Sequence, residues 1–318
     1  MTTTKKPIKN SLTTKINCQK TFGFECDFEI LGFAEASNLV PQIDENYVFD
    51  EPTTKAILAG LMFDQKTLLQ GMHGTGKSTH IEQVCSRLNW QCLRVNFDSQ
   101  ITRLDLVGKD IITLKDGKQI TEFKKGIIPF ALEKPITLVL DEYDAIRTDV
   151  SFVIQRLLEE EGKFALLEEN EILSPHQYFR LFATSNTIGM GDDLGIYHGT
   201  NLINQAQMDR WNIVATLNYL DEAKEVEILL KKLPFLNKKS NENVAKMMVK
   251  MASLTREGFK NGDLSNLMSL RTLISWGRNF EIFKSIKQSF VLSFLNKLID
   301  DEKLILKEYY QRIFGEEI

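Results

Sequence analysis

Three glycines, a lysine and a hydroxyl residue lie close together between residues 71 and 78. The sequence Gly71-Met72-His73-Gly74-Thr75-Gly76-Lys77-Ser78 has the Walker A spacing of phosphate-binding loops, Gly-x-x-x-x-Gly-Lys-Ser. Glycine lets the backbone adopt conformations that a β-carbon would block, so that successive N–H groups can face an anion. We expect Lys77 to reach the β- and γ-phosphates and the Ser78 hydroxyl to bind Mg²⁺. The pattern therefore predicts an ATP-binding loop whose residues are Gly71, Gly74, Thr75, Gly76, Lys77, Ser78 and Thr79.

Two carboxylates follow an unbroken apolar run further along the chain. Residues 136–140 precede Asp141 and Glu142, and such a run is typical of a strand buried on both faces. At the carboxyl end of this strand, Asp141 would hold the Mg²⁺ shell and Glu142 would orient and polarise the attacking water. Two acids after a strand are common by chance, so this prediction depends on the complete Walker A pattern upstream.

A polar amide ends another apolar run. Residues 179–184 read as a strand and lead to Asn186, which could hydrogen-bond the γ-phosphate or the attacking water. The alternative is an ordinary turn-forming asparagine after a strand. The segment 189–195 is similar to a dinucleotide-binding pattern, but its last gap is one residue too long. We interpret that segment as a loop.

Two arginines have side chains suited to phosphate, but their spacing assigns neither of them a role. Arg210 follows an amphipathic stretch and precedes Trp211, and Arg271 opens a helical pattern. A surface salt bridge is the alternative for both. His73 lies at a variable position of the phosphate loop, so we do not expect it to be catalytic.

The elements that must position these residues alternate between strands and helices. The strand patterns are residues 67–70, 92–97, 136–140, 179–184 and 213–217. Helical patterns begin near Pro52, cover 78–88 and cover 149–161. This alternation predicts an α/β fold with a parallel sheet. Two hairpins are predicted as well, one around the Asp116-Gly117 turn and one near residues 166–171.

Beyond Asp221 only helical patterns remain, at 229–233, 244–259, 271–283 and 285–314. The first 16 residues are rich in Thr, Lys, Ser and Asn, which indicates a mobile tail. We therefore predict a tail and irregular arm over 1–47, an ATPase core with two hairpin insertions over 48–219, and a helical domain over 220–318.

Composition narrows the function classes. The 318-residue chain is 43% hydrophobic and 26% charged, with a net charge of −4. This balance gives no reason to expect a nucleic-acid or membrane partner. The four cysteines have no metal-ligand spacing, no secretory signal is apparent, and the apolar segment 286–299 is too short and polar to cross a bilayer. We predict a cytoplasmic protein.

Together these motifs resemble the AAA+ ATPases of the MoxR-like branch and, within it, the ATPase subunits of aerobic cobaltochelatases. The two hairpins lie where that branch carries insertions. The matching segments are residues 22–24, 73–83, 105–110, 141–145, 197–200, 203–211 and 310–315. Several of these lie outside any general ATP-binding motif, and the likeness runs from about Phe22 to the end of the chain.

The resemblance implies a P-loop AAA+ core with a C-terminal all-helical lid, assembled as a hexameric ring. Such a ring works with a von Willebrand A-type subunit on a large chelatase subunit, which binds the cobalt and the tetrapyrrole and inserts Co²⁺ into a corrin precursor. By position, Asn186 corresponds to sensor 1, Arg210 to the arginine finger and Arg271 to sensor 2. Leu270 stands where the family usually has proline, which weakens the assignment of Arg271.

No residue of this chain resembles a cobalt or tetrapyrrole site, so the resemblance places metal insertion on a partner. Two other functions share the ATPase core. One is a MoxR-like remodelling chaperone that acts with a von Willebrand A partner. The other is a nucleic-acid translocase, which the acidic balance and the lack of an aromatic, basic stripe disfavour.

Overall fold

The computed structural model describes residues 11–98, 100–186, 205–238 and 241–318, with the side chain of Glu242 left out. The described residues form two compact units. The first contains the described residues as far as Leu217, apart from two short segments. These segments, Glu45–Val48 and Met72–Thr75, group with Asn218–Ile318 in the second unit.

Both units contain helices, and the strands of the described ranges all lie in the first unit. The strands are β1 (Leu12–Lys15), β2 (Leu31–Phe33), β3 (Thr67–Gln70), β4 (Gln91–Asn96), β5 (Gly108–Lys115), β6 (Lys118–Lys125), β7 (Ile136–Asp141), β8 (Phe164–Leu166), β9 (Glu171–Leu173), β10 (Arg180–Ser185) and β11 (Ile213–Thr216). The helices are α1 (Cys18–Phe22), α2 (Glu51–Phe63), α3 (Lys77–Arg87), α4 (Arg103–Val107), α5 (Ile127–Leu132), α6 (Thr148–Gln155), α7 (Gln205–Met208), α8 (Glu222–Lys232), α9 (Glu242–Asn261), α10 (Leu270–Phe283), α11 (Ile286–Ser293) and α12 (Asp300–Phe314).

A five-stranded parallel sheet forms the centre of the first unit, in the order β11-β3-β10-β7-β4. Every residue of the central strands β7 and β10 is buried, as the unbroken apolar patterns predicted. Because all five strands run in one direction, their carboxyl ends meet at one edge of the sheet. In register, Asp141 lies opposite Asn96, and Ser185 lies opposite Gln70. The predicted parallel α/β fold is confirmed.

The sheet separates two apolar clusters, since successive side chains of a strand point to opposite faces. Leu68, Leu138 and Leu140 belong to one cluster. Leu69 and Val139 belong to the other. The first cluster includes α5 and α6 residues, and the second includes residues of α2 and α3.

The N-terminal arm is more ordered than its composition indicated. Residues 12–15, predicted as part of a tail, form β1 and pair antiparallel with β2. Leu12 packs against an apolar cluster, but the other three residues of β1 are exposed. The strand is therefore held largely by backbone pairing, and its sequence shows no alternating burial pattern. Phe22 and Phe33 lie in the apolar cluster on the α2 and α3 face of the sheet.

Both predicted hairpins are present, as β5–β6 and β8–β9. The helix predicted over 149–161 is shorter, however. It ends at Gln155, and a 3₁₀ turn covers Arg156–Leu158. Three glutamates and Gly162 follow, and negative charge at a helix carboxyl end is unfavourable.

The second unit is helical, as predicted for the chain beyond Asp221. Its core includes Trp276, Phe290 and Tyr310, all fully buried. Met248 and Met251 also lie in this core, the expected position for flexible apolar side chains. Across the described ranges, no helix is long and apolar enough to span a membrane.

Candidate nucleotide site

The phosphate loop joins β3 to α3 through three glycines with positive φ. The φ angles are +146° at Gly71, +72° at Gly74 and +90° at Gly76, in the region that residues with a β-carbon rarely adopt. A β-carbon at Gly71 would also lie 2.2 Å from the carbonyl oxygen of Leu217. Glycine at these positions therefore sets the backbone path of the loop. Thr75 turns its hydroxyl back onto the loop, donating to the Met72 carbonyl at 3.0 Å.

Lys77 opens α3 and is only 6% exposed. Its ammonium donates to the Gly71 carbonyl at 2.7 Å and to Oδ1 of Asn186 at 2.9 Å. Burial lowers the pKa of Lys77 to about 8, although Asp144, Asp141 and Glu142 favour the charged form. A phosphate brought beside this ammonium would strengthen the charged form further.

Asp141 ends β7, and its buried carboxylate accepts hydrogen bonds from three side chains. Its Oδ1 accepts hydrogen bonds from the hydroxyls of Ser78 and Thr184. Its Oδ2 accepts from Nε of Arg94 at 2.7 Å. The donor set at Ser78 and Asp141 consists of oxygen atoms, and Mg²⁺ is bound in proteins by one or two carboxylates together with water and phosphate oxygens. These two residues fit a magnesium ion.

Glu142 follows in the left-handed region, with φ 58° and ψ 45°. Its N–H donates to Oγ1 of Thr184 at 3.2 Å, which ties the backbone at this position to the end of β10. The residue is exposed. Partial burial, then the neighbouring charges of Asp141 and Asp144, raise the pKa of Glu142. An accessible carboxylate with a raised pKa is suited to accept a proton from water.

Asn186 lies directly after β10, between two charged groups. Its side-chain oxygen accepts from Lys77, and its N–H donates to Oδ2 of the buried Asp144 at 3.0 Å. The residue is thus part of a connected polar network at the carboxyl edge of the sheet. The predicted loop at 189–195 and the segment 197–200 lie outside the described residues.

The remaining predicted residues are Thr79, Arg210 and Arg271. Thr79 is exposed on α3. Arg210 is half-buried, and its Nη1 donates to the carbonyl of Ala206 on the preceding helix. Arg271 is exposed in the first turn of α10, in the second unit. Two residues before it, Ser269 lies against the phosphate loop, because a β-carbon at Gly74 would be 2.4 Å from Cβ of Ser269.

Sequence reasoning missed three residues of the network: Arg94, Thr184 and Asp144. The register of β4 against β7 brings Arg94 to Asp141, and no local pattern contains that pairing. Thr184 could have been found as a hydroxyl near the end of its strand, because β10 is the neighbour of β7. Asp144 lies three residues after Asp141, in a 3₁₀ turn that the sequence did not indicate.

Comparisons with known proteins match three parts of the chain to known families. The AAA domain (dynein-related subfamily) matches residues 66–233. The CbbQ/NirQ/NorQ C-terminal family matches residues 235–307, and the cobaltochelatase CobS subunit N-terminal family matches residues 10–40. The chain therefore contains a nucleotide-binding AAA domain.

Individual relatives extend these matches to nearly the whole chain. The aerobic cobaltochelatase subunit CobS of Sinorhizobium sp is 52% identical over 312 residues, which are 98% of this chain and 94% of that protein. The protein NorQ of Paracoccus denitrificans is 22% identical in an alignment that covers 89% of this chain and 96% of NorQ. The Holliday junction branch migration motor RuvB of Thermotoga maritima matches in structure with a TM-score of 0.51 at 15% identity, over 87% of this chain and 80% of that one. At that identity the likeness shows a shared fold.

Proposed function

Because the chain belongs to the family of aerobic cobaltochelatase CobS subunits, we propose that it is the ATP-hydrolysing motor subunit of such a chelatase. In this proposal, hydrolysis of Mg²⁺-bound ATP drives the insertion of Co²⁺ into a corrin precursor, hydrogenobyrinic acid a,c-diamide. The insertion takes place on a partner subunit.

The observation that carries the ATPase assignment is the contact between Ser78 and Asp141 beside the buried Lys77. Lys77 would neutralise the β- and γ-phosphates, and the loop N–H groups would bind their oxygens. Ser78 and Asp141 would hold Mg²⁺, which supplies Lewis-acid neutralisation of the phosphates when bound. Glu142 would orient the attacking water and accept its proton, and Asn186 would position the water or the γ-phosphate.

The proposed assembly is a homo-oligomeric ring, most simply a hexamer, that acts with a von Willebrand A-type subunit and a large cobalt- and tetrapyrrole-binding subunit. Membership of a family of chelatase subunits supports the expectation of further subunits. Arg210 would serve the neighbouring protomer as an arginine finger, and Arg271 would contact phosphate from the helical unit.

The test is reconstitution with the co-purified partners. The complete complex should insert Co²⁺ in the presence of Mg²⁺ and ATP, whereas the isolated chain should hydrolyse ATP slowly and insert no metal. Lys77→Ala should lose ATP binding, and Glu142→Gln should bind ATP without hydrolysing it. Cobalt insertion by the isolated chain, or full insertion by a complex that contains Glu142→Gln, would contradict the proposal.

A second candidate function is remodelling of another protein by an ATPase that works with a von Willebrand A partner. The match of residues 235–307 to the CbbQ/NirQ/NorQ C-terminal family favours it. Co-purification separates the two functions. A large chelatase subunit in the native complex supports the first, and a von Willebrand A protein alone supports the second.

A further inference from the structure

His73, in the middle of the phosphate loop, is held by side chains of the helical unit. The hydroxyl of Tyr219 donates to the His73 carbonyl at 2.6 Å. The His73 ring packs edge-on against Phe259 of α9, with 6.0 Å between ring centroids. All three residues belong to the second unit. The backbone of the loop is thus fixed at a residue that the Walker A pattern leaves variable.

Arg256, also on α9, stacks its guanidinium on the ring of Tyr219. Its guanidinium carbon is 3.7 Å from the centroid of the Tyr219 ring, and the residue is 7% exposed. Nη1 donates to Oε2 of Glu225 at 2.8 Å, and Nε donates to the Met268 carbonyl at 2.9 Å. A planar guanidinium makes these three contacts together, which an ammonium cannot do.

The Met268 carbonyl marks the start of the helix that carries Arg271. Ser269, the next residue, caps α10 by accepting a hydrogen bond from the Thr272 N–H at 3.2 Å. Ser269 also lies against Gly74. Arg256 therefore contacts two groups. One is Tyr219, which hydrogen-bonds to the loop at His73, and the other is the Met268 carbonyl at the start of α10.

Stability alone does not account for this arrangement. Replacing a buried ion pair by apolar residues is often neutral or stabilising. The Nη2 group of Arg256 is buried and has no hydrogen-bond partner within the described ranges, which adds a further cost. The geometry is better explained by a role in setting the positions of two other groups.

We propose that Arg256 is a positioning residue that sets the phosphate-loop backbone, through Tyr219 and His73, together with the start of α10 and its Arg271. The assignment rests on the proposed nucleotide site. Arg256 touches neither nucleotide nor metal in this proposal. It links the shape of the loop to the placement of an arginine that would contact phosphate.

The two connections have different kinetic consequences. Tyr219→Phe keeps the ring but removes the hydrogen bond to the His73 carbonyl, so the loop should bind phosphate less well in the ground state and the transition state alike. We expect KM for ATP and the nucleotide Kd to rise roughly fivefold, with kcat nearly unchanged. Arg256→Met also releases the start of α10, so kcat should fall as well. Arg256→Lys keeps a positive charge near Glu225, but its KM and kcat should still differ from those of the wild type.

The experiment uses the full chain, with a fluorescent ATP analogue for Kd, steady-state hydrolysis for KM and kcat, and hydrogen exchange of the loop amides without nucleotide. Exchange in the loop should be faster in Tyr219→Phe than in the wild type. Tyr310→Phe is the matched control, because the Tyr310 hydroxyl is buried in the same unit without a hydrogen-bond partner in the described part of the chain. Tyr310→Phe should leave Kd, KM, kcat and loop exchange unchanged.

The outcomes separate this assignment from the proposed function. If the wild-type chain binds no nucleotide, the proposed function is wrong and the assignment is lost with it. If the wild type binds and Tyr219→Phe matches it in Kd and loop exchange, the positioning role alone is wrong. Full recovery of KM and kcat in Arg256→Lys would also overturn the role, because charge would then suffice. Since Tyr219→Phe keeps the buried ion pair, the test does not depend on whether Arg256→Met folds.

Discussion

Arg94 and Asp141 form an ion pair between two neighbouring parallel strands. Nε of Arg94 on β4 donates to Oδ2 of Asp141 on β7 at 2.7 Å. The Asp141 side chain is 4% exposed, whereas that of Arg94 is 39% exposed. A buried carboxylate is costly unless it is paired. Arg94 therefore supplies positive charge to the carboxylate that we propose as a Mg²⁺ ligand.

Replacing Arg94 should destabilise the nucleotide-free protein more than the loaded one. Arg94→Met leaves Asp141 with two hydroxyl donors and without its ion-pair partner, and Mg²⁺ would supply that charge when nucleotide is bound. We expect Tm to fall clearly without ligand and much less with saturating Mg·ADP. Thermal unfolding under both conditions measures this difference.

Arg103→Met is the matched control for Arg94→Met. Arg103 pairs with Glu168 at 3.4 Å, and the Arg103 side chain is 51% exposed. Exposed pairs contribute about 0–1 kcal/mol, so Tm should hardly move in either condition. If Arg94→Met lost the same amount of Tm with and without Mg·ADP, bound Mg²⁺ would not replace the positive charge of Arg94 at Asp141, and this prediction would be wrong.

The same ion pair illustrates what the sequence could and could not predict. The phosphate loop and the strand ending at Asp141 were predicted because each is defined by contiguous residues of the sequence. The Arg94 contact depends on the register of β4 on β7, and the Tyr219 contact joins residues that are 146 positions apart. Neither has a local signature. The pairing of β1 was missed for a similar reason, since backbone hydrogen bonds leave no side-chain pattern.

Gly74→Ala should disrupt the loop through contact as well as through backbone strain. The new β-carbon would lie 2.4 Å from Cβ of Ser269, at a φ of +72°. We expect a lower Tm and a large loss of nucleotide affinity. Gly315 is a matched control with the same φ of +72°, and no other described residue has an atom within 4 Å of a β-carbon added there. Gly315→Ala should cost only about 1 kcal/mol of backbone strain. Equal effects of the two substitutions on unfolding would contradict a tight contact at Gly74.

His80 should make the protein sensitive to acid. It is 1% exposed on α3, its Nε2 is 2.8 Å from Oγ1 of Thr54, and its ring packs against Phe49. Burial lowers the pKa of His80 to about 4, although the charge of Asp50 opposes the shift. The folded protein thus favours neutral imidazole. Its contribution is fully present above the ordinary histidine pKa of about 6.5 and is lost as pH falls toward 4.

The lost free energy of unfolding should approach ~3 kcal/mol at pH 4, since one pKa unit corresponds to about 1.4 kcal/mol. Urea unfolding at a series of pH values between 7.5 and 4 measures it. His80→Gln keeps a polar group near Thr54 but does not titrate, so its stability should fall less steeply over this window. Identical slopes for the wild type and His80→Gln would show that other groups control the acid sensitivity.

Arg210 should act on the nucleotide of a neighbouring protomer. Within the described residues its guanidinium donates a hydrogen bond to the carbonyl of Ala206 and makes no hydrogen bond or ion pair with Asp141 or Glu142 of its own chain. Two residues later, the side chain of Asn212 accepts a hydrogen bond from the Lys66 N–H. Lys66 precedes β3, at the opposite end of that strand from the phosphate loop. Arg210→Ala should therefore bind ATP almost normally yet fail to hydrolyse it.

Mixing two inactive variants tests whether Arg210 acts in trans. In a mixed ring, some interfaces would join the intact loop of an Arg210→Ala chain to the intact Arg210 of a Lys77→Ala chain. A guanidinium delivered there neutralises charge that develops during phosphoryl transfer, an effect worth roughly 10³-fold or more in comparable enzymes. ATPase activity should return in part, rising and then falling with the mixing ratio. If fluorescently labelled protomers exchange and no activity returns, the trans role loses its support. Wild-type hydrolysis by Arg210→Ala alone would show that the arginine has no catalytic part.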